Sequence, residues 1–269
     1  MSLIIRIKRF NFVLICLCTG VAAVAGQSLP AAQAREGQPN WITPLATVTP
    51  LLEQEYRFDL TLAAEAGGVV ANYGAGKGLE FIPTQRTEVI VGVPGWQSGP
   101  GGASGFGDTS FLLKFRLAAR PAAAGNYVVT AFLGASVPSG TQGVASAVAM
   151  LRPAIAAGKG WGRFDVQTTL GLAAPLRETG RVGVPLAWNT ALQYRVRRHL
   201  WPELESNPTV WLAGPHRGRT QLYLTPGLVL GGLPLRGPLK LTAGVGEQIA
   251  VTRFHGAARA WIFSLRLPF

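Results

Sequence analysis

The sequence is poor in cysteine and in charge, and after its first thirty residues it has no long apolar run. Both cysteines, Cys16 and Cys18, lie near the N-terminus, so the rest of the chain can form neither a disulfide nor a thiolate metal site. Charged residues make up 14% of the chain, against about 25% in soluble domains. No later stretch approaches the roughly 18 apolar residues of a transmembrane helix. A disulfide-stabilised domain and a helical membrane protein are therefore both disfavoured.

The N-terminus has the pattern of a secretory signal peptide. Arg6, Lys8 and Arg9 precede an apolar stretch over 12–24, and the small residues near 23–25 suit a peptidase. We predict a leader over residues 1–26, with cleavage near 25–34, and an exported mature part. An uncleaved N-terminal membrane anchor is the alternative.

The rest of the chain repeats a period-two pattern of apolar and polar side chains, punctuated by glycine and proline. Phe111, Leu113 and Phe115, for example, alternate with Lys114 and Arg116. The runs are roughly 10–13 residues long, which is close to the ~9–11 residues that a tilted strand needs to cross a bilayer. Strands of soluble proteins average only about five or six residues.

Long ribbons with one apolar face predict an all-β fold, namely a transmembrane antiparallel up-and-down β-barrel. Hydrocarbon cannot hydrogen-bond a free sheet edge, so a sheet in lipid has to close on itself. We expect one barrel domain over residues 41–269 with twelve strands, because bacterial single-chain barrels use even numbers, and ten strands is the alternative. Eleven segments have the strand pattern: 55–66, 80–93, 106–118, 126–137, 146–157, 162–174, 184–197, 201–213, 219–231, 238–249 and 257–269.

The twelfth strand is assigned to residues 41–52, although Pro44 and Pro50 are unusual in a strand. With the C-terminus on the periplasmic side, the strand at 55–66 is then expected to run toward the periplasm. Periplasmic turns are expected near 119–125, 158–161, 198–200 and 232–237. Outer loops are expected near 94–105, 138–145, 175–183, 214–218 and 250–256.

The last residues of the sequence carry a second signal of an outer-membrane barrel. Bulky apolar residues occupy every second position up to the end, at Trp261, Phe263, Leu265, Leu267 and Phe269. This stripe resembles the recognition signal that the barrel-assembly machinery reads in bacterial outer-membrane proteins. The resemblance implies location in the bacterial outer membrane, with its lipid and the assembly machinery as partners.

Further motifs resemble a family of outer-membrane transporters named after the MetA pathway of phenol degradation. They are G-F-G-D at 105–108 with K-F-R at 114–116, P-S-G at 138–140, and T-P-G at 225–227. Thr141 stands where the family has an aspartate after P-S-G. The resemblance implies a barrel and the uptake of small molecules, and it supplies no substrate.

Charged side chains on the polar faces of the ribbons are predicted to line the lumen of this barrel. Unpaired charges in a narrow lumen are costly, so the first interpretation is a set of structural cross-strand ion pairs. The second is a cation-lined passage that favours anions; together with the family resemblance, it suggests anionic or aromatic solutes. The candidate lining residues are Arg86, Asp108, Lys114, Arg116, Arg163, Asp165, Arg195, Glu203, Arg219 and Arg266.

The preferred function is therefore a porin-like passage or transporter for small solutes, without a cofactor or a metal. A closed structural or adhesive barrel is the alternative. An outer-leaflet lipid enzyme is the third, using Ser139 with His216 or His255, although no orienting acid or G-x-S-x-G motif supports it. His199 falls in a predicted turn. Nucleic acid is disfavoured because the cations that give the net charge of +12 are dispersed.

Overall fold

The computed structural model describes residues 35–269 except 66, 75–77, 100, 101, 103 and 238. The predicted leader at 1–26 lies outside the described residues. Within them, nearly all regular structure is β-strand, arranged as one antiparallel sheet. In this described part of the chain no helix is long and apolar enough to cross a membrane.

Sixteen strand segments and two very short helical turns make up the described chain. The helical turns are a 3-10 turn at Ala122–Ala124 and the α-helix α1 at Thr179–Val182. The strands in chain order are β1 (Glu55–Glu65), β2 (Gly68–Tyr73), β3 (Gly78–Thr84), β4 (Thr87–Gly92), β5 (Trp96–Ser98), β6 (Gly105–Phe106), β7 (Thr109–Arg120), β8 (Tyr127–Val137), β9 (Met150–Trp161), β10 (Phe164–Leu172), β11 (Ala174–Pro175), β12 (Val184–Tyr194), β13 (Leu200–Ala213), β14 (Thr220–Pro234), β15 (Lys240–Ala250) and β16 (Arg259–Pro268).

The sheet closes because its last strand pairs with its first. β16 runs antiparallel to β1, from the pair Glu55 and Pro268 to the pair Ala64 and Arg259. Three wall strands are each built from two segments, β2 with β3, β5 with β4, and β6 with β7, since each pair shares its neighbours in the sheet. The wall therefore has twelve strands, and the prediction of a twelve-stranded antiparallel barrel is confirmed.

Two of the predicted strands are wrong, and the two errors cancel in the strand count. The segment 80–93 is a hairpin of β3 and β4 that turns at Gln85 and Arg86. Pro83 and the polar residues around the turn interrupt the alternation, but the turn contains no glycine or asparagine that would mark it in the sequence. Residues 41–52 form no strand, and they lie inside the barrel.

The predicted direction of the first strand is also wrong. β1 begins beside the end of β16, because Glu55 pairs with Pro268. We call the end of the barrel that holds this pair the lower end, and the opposite end the upper end. β1 therefore runs upward, away from the end where the C-terminus lies.

The connections at the two ends differ in length, as is typical of outer-membrane barrels. Turns at the lower end occupy 85–86, 121–126, 162–163, 195–199 and 235–237. The longest connections, at 138–149 and 173–183, lie at the upper end, and the second contains β11 and α1. The predicted turns and loops fall at these same two ends.

The outer face of the wall is apolar and exposed. In β16, Trp261, Phe263 and Leu265 are 46%, 41% and 45% exposed, whereas the intervening Ile262 and Ser264 are buried. Alternation of this kind places one side of every strand outside the barrel and the other side in the lumen. The same arrangement recurs in β7, where Phe111, Leu113 and Phe115 are exposed.

Candidate functional site: the filled lower lumen

The lower half of the lumen is filled by residues 38–54, which we call the inner segment. Thr47, Thr49 and Leu52 have no exposed surface. The segment begins near the lower end, where Gln38 exchanges two hydrogen bonds with the backbone of Leu52. It rises into the barrel and returns to the lower end, where β1 starts at Glu55.

Wall carboxylates accept hydrogen bonds from the backbone of the inner segment. This segment lies outside any sheet, so its buried N–H groups need side-chain acceptors. Glu205 accepts from Ala46 at 2.7 Å and from Thr47 at 2.5 Å. Glu203, two residues earlier on the same face of β13, accepts from Leu45 at 3.0 Å.

Wall cations donate to the carbonyl groups of the same segment. The ammonium group of Lys114 donates to the carbonyl oxygen of Leu51 at 3.0 Å. The guanidinium group of Arg266 donates to the carbonyl oxygens of Thr43 and Pro44. Acids and bases on the wall therefore hold the two kinds of backbone polar group in one stretch of chain.

Neutral side chains hold the top of the inner segment. The hydroxyl of Thr49 donates to the side-chain oxygen of Gln167 on β10 at 2.6 Å. Thr169, two residues further along β10, donates to the carbonyl oxygen of Val48 at 2.7 Å. Thr130 of β8, two strands from β10 in the wall, donates to the carbonyl oxygen of Pro50 at 2.5 Å. The top of the inner segment is thus hydrogen-bonded to the part of the wall between β8 and β10.

Two buried ion pairs neutralise charge beside the inner segment. Lys114 and Glu88 lie 2.9 Å apart, and neither side chain has exposed surface. Arg57 and Asp59, on the inner face of β1, lie 2.8 Å apart. Glu88 also accepts from the backbone N–H of Glu53 at 2.7 Å, so this pair is tied to the segment.

Glycines on the inner wall make room for the large side chains of the segment. A Cβ atom at Gly158 would lie 2.5 Å from the indole of Trp41. Cβ atoms at Gly227 and Gly246 would lie 2.6 and 2.8 Å from the side chain of Leu45. These close approaches explain why lumen-facing positions of β9, β14 and β15 carry no side chain.

The structure places five of the candidate lining residues on the wall around the inner segment. Lys114, Asp165, Glu203 and Arg266 are buried on inner faces of the wall. Arg116 is half-buried near the lower end, where it donates to the side chain of Gln38 at 3.3 Å.

The other candidate residues lie at the ends of the barrel. Arg86, Arg163 and Arg195 are exposed in or beside lower turns, and Arg219 is exposed in an upper connection. Asp108 precedes β7 at the upper end. Whether any of these residues lines a passage stays a prediction.

One contacting group was absent from the predicted site. Gln167 makes a direct contact with the inner segment and lies two residues from the candidate Asp165. Period-two spacing was the signal that could have added it. The inner segment, residues 38–54, has no sequence pattern that predicts its place in the lumen. Its prolines indicate only that it is a poor strand.

A cavity of about 730 Å³ lies below the inner segment and opens at the lower end. We call it the lower cavity. Part of its lining is aromatic, from Trp41 and Trp201, and part is basic, from Arg195, Arg198 and Lys240. Carboxylates also reach it, since Glu53 and Glu55 contribute to the wall.

At the upper end, Asp108 fastens the connection 138–149. Its carboxylate accepts from the hydroxyl of Ser146 at 2.6 Å and from the backbone N–H of Gly140 at 3.1 Å. Partial burial alone would raise the pKa of Asp108, but these hydrogen bonds stabilise the carboxylate and lower the pKa below its usual value.

The residues considered for the alternative lipid enzyme have other contacts. Ser139 is hydrogen-bonded to Thr109, 2.8 Å away. The ring of His216 packs near Phe254, with 5.0 Å between ring centroids, and His255 lies 2.9 Å from the carbonyl oxygen of Thr252. Among the described residues, no group of three or more His, Cys, Asp or Glu could hold a metal ion.

Comparison with solved structures gives the same fold. An outer membrane channel from Pseudomonas putida F1 matches 84% of this chain and 98% of its own, with a TM-score of 0.54 and 13% identity. The KdgM porin matches 79% of this chain and 99% of its own, with a TM-score of 0.45 and 11% identity. The likeness to the Pseudomonas channel, at 13% identity, establishes the barrel fold alone.

Sequence comparison is less informative. No family model matches the chain. A tryptophan 2-monooxygenase from Pantoea agglomerans pv. gypsophilae is 35% identical over 99 residues, which are 37% of this chain and 15% of that enzyme. The chain therefore spans only a small part of the length of this relative.

Proposed function

We propose that the chain is a bacterial outer-membrane barrel that provides a passage for small solutes, closed at rest by its inner segment. The observation that carries the proposal is the way in which residues 38–54 fill the lower lumen. Every contact described above between this segment and the wall is a hydrogen bond, an ion pair or a packing contact. Such contacts can be broken and remade while the twelve-stranded wall stays intact.

The outer face of the barrel supports location in a membrane. Its exposed aliphatic and aromatic side chains suit lipid, and closure of the wall leaves no free sheet edge. The stripe of Trp261, Phe263 and Leu265 faces outward, as an assembly signal read from the membrane side requires. Outer-membrane lipid and the barrel-assembly machinery remain proposed partners.

We also propose the class of solute that passes through the barrel. The resemblance to the transporters of the MetA pathway suggests a small organic molecule. Cations at the lower mouth, among them Arg163 and Arg195, favour an anionic one. A closed lower lumen also suggests that the passage admits solutes selectively rather than as an open porin.

Conductance in planar bilayers tests this function. We compare the unaltered chain with a variant in which residues 39–52 are replaced by glycine and serine at equal length. The unaltered barrel should conduct weakly, and the variant should conduct several-fold more because the lumen is emptied. In a salt gradient, Arg163→Ala should shift the reversal potential toward lower anion selectivity.

The same experiment distinguishes the alternatives. No conductance from either protein, with both folded, would identify a closed structural or adhesive barrel. An unchanged reversal potential on Arg163→Ala would contradict the proposed anion preference but not the proposed passage. Lipid turnover that vanishes on His216→Ala or His255→Ala would support the outer-leaflet enzyme instead.

A further inference from the structure

The lower mouth of the barrel concentrates arginine side chains around a hollow. Arg163, Arg195, Arg197 and Arg198 together line a space of about 310 Å³. They come from two neighbouring turns, at 162–163 and 195–199. Arg195 and Arg198 line both this hollow and the lower cavity.

Backbone pairing fixes two of these cations opposite each other. Phe164 and Tyr194 are partners at the ends of β10 and β12, and the N–H of Arg195 donates to the carbonyl oxygen of Arg163 at 2.8 Å. Like charges placed directly opposite on neighbouring strands repel each other. Asp165 is close enough to attract Arg195, but one carboxylate cannot neutralise four guanidinium groups.

The cations of the lower cavity divide into engaged and free ones. Arg266 is committed to backbone carbonyl groups of the inner segment, and Arg35 is paired with Glu53. Within the described part of the chain, the side chains of Arg195, Arg198 and Lys240 have no hydrogen-bond or ion-pair partner. These three therefore have their donors available for a ligand.

An aromatic surface lies within the same cavity. Trp201 is buried against Leu45 and Val229, and Trp41 lies against the glycines of β9. Both indoles contribute to the lining of the cavity, and so do the free cations. A volume of about 730 Å³ is in the range of small-molecule pockets.

We infer that the lower mouth binds a small organic anion, an aromatic ring that carries a carboxylate. The carboxylate is held by Arg195 and Arg198, whose planar guanidinium groups match it in two-point hydrogen bonds. The ring lies against Trp41 and Trp201, where aromatic groups pack favourably. This inference deepens the proposed function by naming its solute class, and it rests on that function only for the role of the site in passage.

Binding of fluorobenzoate to the purified full chain in detergent, followed by fluorine NMR, tests the site. Line broadening should be saturable, and neutral fluorobenzamide should bind about tenfold more weakly because it lacks the charge. Arg195→Gln with Arg198→Gln should weaken fluorobenzoate binding by roughly tenfold or more. Arg236→Gln is the matched control, since Arg236 lies in a lower turn but does not line the cavity.

The other outcomes show whether the ligand is a solute or a lipid headgroup, or they overturn the binding site. Equal weakening by Arg236→Gln would overturn it in favour of general charge attraction. Displacement of fluorobenzoate by short-chain phosphatidylglycerol at lower concentration than by unlabelled benzoate would assign the cations to a lipid headgroup and overturn the solute. Lys240→Gln serves as a second variant if the arginine pair fails to fold.

Two experiments distinguish failure of the binding site from failure of the solute passage. Absent fluorobenzoate binding with conductance intact would overturn the site and leave the passage. Saturable binding with no conductance from the emptied barrel would keep the site and overturn the passage.

Discussion

The barrel wall and the inner segment satisfy their backbone polar groups in opposite ways. The wall does so by strand pairing, which closes through β1 and β16 and requires little of the side chains beyond their alternation. The inner segment has no strand partner and depends on particular wall side chains, such as Glu205 and Lys114. The wall should therefore tolerate lumen substitutions at positions that contact neither the inner segment nor a buried ion pair, whereas the inner segment should be sensitive to single polar contacts.

The largest effect is expected from separating the buried ion pair beneath the inner segment. Lys114→Met leaves the carboxylate of Glu88 without its ammonium partner, at a cost of about 3–5 kcal/mol. Urea unfolding in lipid vesicles measures the free energy. Adding Glu88→Leu should restore part of the loss, because the carboxylate that Lys114→Met leaves without its partner is then removed, while the backbone N–H of Glu53 loses its acceptor. Lys240→Met, at an exposed position, is the control, and an equal cost for both lysines would contradict this role.

A charge on the outer face should cost somewhat less. Phe263→Arg places a cation near the middle of β16 on the exposed apolar face, and the expected cost in a bilayer is about 2–4 kcal/mol. The same unfolding measurement applies. Gln248→Arg, on the inner face of β15, should change stability by under about 1 kcal/mol. Equal costs at the two positions would mean that the outer face does not contact lipid.

Weakening one carboxylate contact should loosen the inner segment without unfolding the wall. Glu205→Gln removes the charge that accepts the N–H groups of Ala46 and Thr47, a loss of about 1–3 kcal/mol at these amides. Hydrogen exchange followed by mass spectrometry should detect faster exchange around residues 45–48. Glu178→Gln, on an exposed upper connection, is the control. Fast exchange at residues 45–48 in the unaltered chain would show that the wall carboxylates do not hold the inner segment.

The smallest effect concerns the upper connection held by Asp108. Because hydrogen bonds lower the pKa of this carboxyl in the folded state, its contribution is present above the unfolded value of about 3.9 and is lost as pH falls through the lower folded value. Ser146→Ala should raise the pKa of Asp108 toward its usual value, measured by NMR titration. An unchanged pKa would mean that the hydroxyl contact contributes nothing.

The wall was largely predictable from the sequence, because each of its strands repeats one local rule. Alternation located the nine wall strands from β7 onward, counting β11 as part of a connection. The hairpin of β3 and β4 was missed because Gln85 and Arg86 are ordinary polar residues that give no turn signal. The correct count of twelve came from two compensating errors rather than from correct assignment of every strand.

The inner segment was not predictable in the same way. Its position depends on contacts with residues more than a hundred positions away, such as Thr49 with Gln167 and Ala46 with Glu205. No local pattern encodes such pairs. The prolines at 44 and 50 correctly weakened the strand assignment, but a weak strand and a lumen-filling segment have the same sequence signature. The charges of the lumen were predicted as ion pairs or as a passage, and most of the buried ones are used to hold this segment.

A tether between the inner segment and the wall tests most directly whether residues 38–54 fill the lumen. Thr49→Cys and Gln167→Cys, in a chain with Cys16→Ser and Cys18→Ser, place two thiols where the native side chains are hydrogen-bonded at 2.6 Å. If the inner segment lies in the lumen, a short bis-thiosulfonate joins the two thiols within one folded chain, and the joined barrel conducts no more than the untreated one. Independent labelling of both cysteines by a bulky maleimide, without a tether, would contradict the position of the inner segment in the lumen.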